Sequence, residues 1–62
     1  MCLSTVYTLK GNEKQEVCKN VASMTVEGDK LVFSDILGVP TAVAGKLEKI
    51  DLMENAIFVR QN

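Results

Sequence analysis

Sixty-two residues, 47% hydrophobic and 24% charged, make one small domain spanning residues 1–62, and a chain this short buries only about 60% of its unfolded surface, so it needs a disulfide, a metal or a partner chain to be more than marginally stable. Seven basic against eight acidic residues leave a net charge of −1, which gives no electrostatic footprint for nucleic acid or anionic lipid. The chain has no histidine, which removes Ser-His and Cys-His nucleophiles, imidazole ligands and a side chain that titrates unperturbed near neutrality.

Residues 3–9 alternate Leu3, Thr5, Tyr7 and Leu9 with Ser4, Val6 and Thr8. That pattern is rich in β-branched and aromatic residues and predicts a first strand. Lys10-Gly11-Asn12-Glu13 supplies residues that tolerate positive φ and turns the chain into a second strand near residues 14–19. A third run at residues 22–27 meets a fourth at 30–35 through Glu27-Gly28-Asp29, the strongest hairpin signal in the chain. The apolar stretch Ile36-Leu37-Gly38-Val39-Pro40 is too short for a helix. It is expected to turn across one end of the core, with Pro40 holding Val39 extended.

Residues 41–51 read as a strand bent at Gly45, a natural site for a bulge. A helix over the same residues competes, since Ala42, Ala44, Lys46, Leu47, Glu48 and Lys49 have good helix propensity, but Gly45 and the alternation oppose it. Leu52-Met53-Glu54-Asn55 forms the last turn, with Asn55 in the left-handed position, before a final strand at 56–60 and fraying at Gln61 and Asn62. About six short antiparallel strands at regular spacing predict an all-β fold, a small antiparallel barrel whose closure removes exposed edges. Its expected core is Leu3, Tyr7, Val26, Leu31, Phe33, Ile36, Leu37, Leu47, Ile50, Ile57, Phe58 and Val59, some of which would serve an interface in a dimer.

The N-terminal segment Met1-Cys2-Leu3-Ser4-Thr5-Val6-Tyr7 has neither a basic region nor a continuous apolar run, and nothing approaches the ~18 apolar residues of a membrane span. A cytoplasmic protein without membrane association is expected, with Cys2 and Cys18 as thiols. The eight carboxylates are spread over turns and exposed faces and read as solvated charges. The four glycines are isolated and cradle no phosphate. No catalytic residue and no organic-cofactor motif can be assigned, so an enzyme is not expected.

Cys2 carries the most chemistry. Removal of Met1, common when the second residue is small, would leave a free amine beside the thiol. That pair chelates one ion through nitrogen and sulfur, and the next backbone nitrogen adds a donor if deprotonated. Thiolate with planar nitrogen donors suits nickel or copper(II), and because the thiolate is the ligand, binding weakens as pH falls. The competing reading makes Cys2 a small residue opening an edge strand. For Cys18 the structural reading is stronger still, as a small buried apolar group.

Met-Cys-Leu at residues 1–3, Thr5-Val6-Tyr7, the hairpin Val26-Glu27-Gly28-Asp29-Lys30, Asp35-Ile36-Leu37-Gly38, Gly45-Lys46, and residues 48–55 before Ile57-Phe58-Val59 stand in an order that resembles the CooT family of small nickel-binding proteins associated with carbon monoxide dehydrogenase maturation. The resemblance implies an Sm-like or SH3-like barrel, a homodimer, and Ni(II) held through Cys2 for delivery to, or buffering near, a nickel-enzyme client. One ion per homodimer between paired Cys2 residues would give it two thiolates and two nitrogens. The alternative is an RNA-binding or protein-adaptor barrel without a metal, whose surface would be Lys10, Lys14, Lys19, Lys46 and Lys49 with exposed Tyr7; the net charge of −1 disfavours nucleic acid.

Overall fold

The computed structural model describes residues 3–61. Six strands follow one another among them: β1 (Ser4–Lys10), β2 (Glu13–Glu27), β3 (Lys30–Asp35), β4 (Pro40–Ala44), β5 (Lys46–Asp51) and β6 (Ala56–Arg60). The all-β class is as expected from the sequence. Two details of the division differ. The second and third runs fuse into the 15-residue β2, because the polar stretch between them makes a bend instead of a turn: Asn20 takes a positive φ of 57° and the pairing slips on both sides of it. The fifth run divides at Gly45 into β4 and β5, which also disposes of the helix considered there.

All six strands form one sheet in the order β4-β3-β2-β1-β6-β5. Four neighbouring pairs are antiparallel, and β1 pairs with β6 in parallel, Thr5 opposite Ala56 and Leu9 opposite Arg60. The edge strands β4 and β5 are consecutive in the chain with Gly45 alone between them, so the sheet curls until its edges meet at one residue. No ladder joins β4 to β5. The barrel is therefore half-open, with one parallel pairing, where the sequence suggested a closed antiparallel one. Gly45 is required at the junction: its φ is 146°, and a Cβ there would sit 2.6 Å from the Arg60 carbonyl oxygen, closer than packed atoms allow.

The bend in β2 makes two layers of this one sheet. Its first half lies beside β1 and its second half beside β3. Between the layers sits a core of Val6, Val21, Leu31, Phe33, Val43, Ile57 and Val59. Leu31, Phe33, Ile57 and Val59 are where the sequence put them, whereas Leu3, Tyr7, Val26, Ile36, Leu37, Leu47, Ile50 and Phe58 are not fully buried. In β1 the row Val6 and Thr8 faces inward, and the row containing Tyr7 faces outward. Period-2 alternation separates the two rows but cannot say which is inside when both carry β-branched or apolar residues.

The strand connections sort into two ends. At one, Ser4 pairs with Val21 and Val21 with Asp35, the Thr5 N–H donates to the Asn55 carbonyl (2.9 Å) and the Ile36 N–H to the Asn20 carbonyl (3.0 Å). This N-terminal end gathers the start of β1, the bend in β2 and the loops at residues 36–39 and 52–55. At the opposite hairpin end the Gly45 N–H donates to Asp29 (3.2 Å), Gln61 to Leu9 (2.8 Å) and Arg60 Nη1 to the Gly11 carbonyl (3.2 Å). Gln61 is thus tied down where fraying was expected.

Candidate metal centre

Cys2, the one metal ligand assigned from the sequence, lies outside the described residues, which begin at Leu3. Leu3 is half-buried and leads into β1 at the N-terminal end.

That end has a distinctive construction. The Asp35 carboxylate accepts from the N–H of Leu37 (2.8 Å) and Val39 (2.9 Å), and Asp51 accepts from Met53 (3.0 Å) and Glu54 (3.1 Å). Each aspartate thereby folds the loop that follows it, using the local side-chain to backbone bonding that makes aspartate a turn residue. Asn55 closes the second loop at a positive φ of 54°, as its sequence position indicated. The apolar residues of the first loop do not cap the core as expected, and those of the second are no more buried. They point into solvent, Leu37 84%, Leu52 83% and Met53 92% exposed, because the loops project beyond the last rung of the sheet.

Cys18 is a free, half-buried thiol packed against the core together with Met24. Burial, and after it the Asp35 carboxylate, push its pKa above the ordinary thiol value. A protonated thiol is a poor ligand, in keeping with the structural role read from the sequence. It stands opposite Val6, one position from the Thr5 expected for an unbroken register, because β2 bulges around Val17.

Among the described residues no three His, Cys, Asp or Glu side chains gather into a group able to hold a metal. A site with that many such donors must draw on Cys2, on a second chain, or on both. Four of the lysines of the alternative reading fall into two pairs, Lys14 with Lys49 beside the Phe58 ring and Lys10 with Lys46 on one cleft. Lys14 lies 4.8 Å from the centroid of Tyr7, which stacks on Phe58 at 5.4 Å across the outer face, and Lys49 lies 6.0 Å from Phe58. Lys19 pairs with Glu16 and Lys49 with Asp51. Lys10 and Lys46 line a cleft of about 760 Å³ at the hairpin end. Val26 and Leu47 line the same cleft, which explains their exposure: the unclosed seam leaves nothing to cover them. The Tyr7–Phe58 stack with its lysine neighbours is a feature the sequence did not reveal, since only the parallel β1–β6 pairing sets Tyr7 opposite Phe58.

The family model for the CO dehydrogenase accessory protein CooT matches residues 1–60. The chain belongs to the CooT family. The match takes in Cys2, the position on which the metal reading depends. Among solved structures, the fold is similar to that of a protein assigned as CooT from Carboxydothermus hydrogenoformans, with a TM-score of 0.88, 15% sequence identity and 98% of each chain covered. At that identity the likeness speaks for the fold. A comparison with curated protein sequences finds no match. Among the described residues there is no helix long and apolar enough to cross a membrane.

Proposed function

We propose that this CooT-family chain is a cytoplasmic nickel carrier for carbon monoxide dehydrogenase maturation, one that holds a single Ni(II) per homodimer between the Cys2 residues of two copies and hands it to, or buffers it near, the client enzyme. The observation that carries the reading is a penultimate cysteine inside a family match over residues 1–60. Three further features support it. The pKa of the remaining thiol, Cys18, is raised by burial and by Asp35, which disfavours its thiolate as a ligand. The described residues of one chain assemble no donor set of three, so a second copy supplies what one lacks. The donors of a freed Cys2, a thiolate and an amine, suit a planar ion when doubled by a two-fold axis.

In this reading the protein is not a catalyst. Its residues bind the ion, and protons compete with it for the thiolate and the amine, so affinity falls as pH falls. Nickel is titrated into metal-free protein, with removal of Met1 verified by mass, while thiolate-to-metal charge-transfer absorption is followed. Saturation is expected at one ion per two chains, with loss of the band in Cys2→Ala and its retention in Cys18→Ala. Equal nickel affinity in Cys2→Ala and the parent would refute the site. The adaptor alternative is weakened by the net charge of −1, and a mobility-shift assay with single-stranded RNA at physiological salt tests it directly.

A further inference from the structure

The mouth of the half-open barrel at the hairpin end is lined by side chains that the fold leaves without partners. Val26 pairs with Leu31 and Leu47 with Val59, so both face the core side of the sheet, yet Val26 is 65% and Leu47 40% exposed. With the buried Leu31 they form an apolar floor to the cleft of about 760 Å³, a size within the range of ligand sites. Lys10, Lys46 and Asp29 line the same cleft, and none of the three makes an ion pair among the described residues. Gln61 Nε2 donates to the Ala44 carbonyl (3.4 Å) and clasps the seam beside Gly45. From there the seam is open: β5 starts at Lys46, on the cleft itself, and as an edge strand it has one side with no ladder. Five of its six residues are exposed.

We propose that this mouth captures the C-terminal residue of another polypeptide, one ending in an aliphatic side chain, with the residues before it laid along the free edge of β5 as an added strand. Such a residue carries three groups side by side: an apolar side chain, a free carboxylate and a peptide N–H. The cleft has a counterpart for each. The floor of Val26, Leu31 and Leu47 takes the side chain, the ammonium groups of Lys10 and Lys46 take the carboxylate, and the Asp29 carboxylate accepts the N–H. A fatty acid would bring nothing for Asp29 to accept. A free amino acid would meet all three but leave the β5 edge unused, where main-chain hydrogen bonds supply affinity to an extended peptide. The lysines of β5, a common guard against indiscriminate edge pairing, leave the choice of partner to the terminal residue. Nothing in this capture requires nickel.

The test is fluorescence polarisation with reduced protein and chelator present. The probe is a labelled peptide of alternating threonine and valine, with a pair of glutamates at its start for solubility and a free leucine carboxylate at its end. Saturable binding is expected, and the same peptide with an amidated C-terminus is expected to bind roughly tenfold more weakly, the worth of one charged hydrogen bond. Lys10→Glu and Lys46→Glu, both at exposed positions, are expected to weaken binding by at least as much with an unchanged far-UV spectrum. Lys19→Glu makes the same change of charge away from the cleft and is expected to bind as the parent does. N-acetylleucine is expected to compete weakly, and amide exchange over residues 46–51 to slow when the peptide is bound. Absence of saturable binding, equal binding of the amidated peptide, or a loss in Lys19→Glu as large as in Lys46→Glu each overturns the proposal. So does N-acetylleucine competing as well as the peptide, which would make the mouth a site for small acids, or β5 exchange that the peptide leaves unchanged, which would remove the added strand.

Discussion

The two ends of the half-open barrel solve the same problem, connecting strands, with different materials. The hairpin end uses backbone: Gly11, Gly28 and Gly45 at positive φ, short turns, and carbonyls bonded by neighbouring amides and by Arg60. The N-terminal end uses side chains, with Asp35 and Asp51 each folding a longer loop around one carboxylate oxygen. The first end is a closure that tolerates little change. The second is a mounting, in which the polar aspartates face inward to the loop and the apolar residues face out. The three most exposed of the large apolar side chains, Leu37, Leu52 and Met53, stand on these two loops.

Substitutions that strike one end and spare the other can break this contrast. The largest effect is expected for Gly45→Ala, whose Cβ would meet the Arg60 carbonyl at 2.6 Å in a backbone conformation unsuited to L residues. A loss of about 3 kcal/mol or more is expected, enough to unfold much of a marginal domain, as read by urea denaturation; an unchanged midpoint would show that the junction relaxes easily. Next comes Asp35→Ala, which frees two loop amides and is expected to cost about 1–2 kcal/mol while leaving the fold intact. The same substitution removes one of the two causes that raise the Cys18 pKa, so the pH profile of Cys18 alkylation is expected to move downward. A profile that did not move would leave burial as the whole cause.

Smaller effects come from the outer face and the surface. Lys14→Ala removes the cation over Tyr7 and is expected to cost about 0.5–1 kcal/mol, seen as a lowered melting temperature with little change in fold. The smallest concerns Glu48, whose carboxyl is held below its ordinary value by the hydrogen bonds from Arg60. A lowered folded-state pKa contributes stability above the ordinary value of 4.5, and that contribution is lost as pH falls through the lowered one. Glu48→Gln is therefore expected to flatten slightly the acid side of the melting-temperature profile, below about pH 4.5, with the difference shrinking in salt.

What could be read from the sequence follows the range of the physics involved. Turns are local, so Gly11, Gly28, Asn55 and the special role of Gly45 were legible from residue type alone, as was the all-β class. The bend at Asn20 was misread as a break because a left-handed asparagine serves a turn and a bulge equally well. The core was half legible: Phe33 and Val59 are apolar in any register, but Val6 and Val43 are buried only because of which strands curl over them. Ile36 and Leu37 look like core by composition, and only the register shows that their loop lies past the last rung. For the site, chemistry singled out Cys2, and family membership strengthened that choice. The gathering of Lys14 and Lys49 beside Phe58 and the apolar character of the N-terminal end depend on long-range pairings that no local pattern encodes.

The parallel ladder between β1 and β6 ties residues 5–9 to residues 56–60, so the first strand to leave the ribosome waits for the last before it is paired on both sides. Pairings of such long sequence separation slow folding. During synthesis β1 can pair with β2 early, but its other side stays open until the chain is nearly finished. The complete setting of β1, paired on both sides, is thus among the last things the nascent protein acquires.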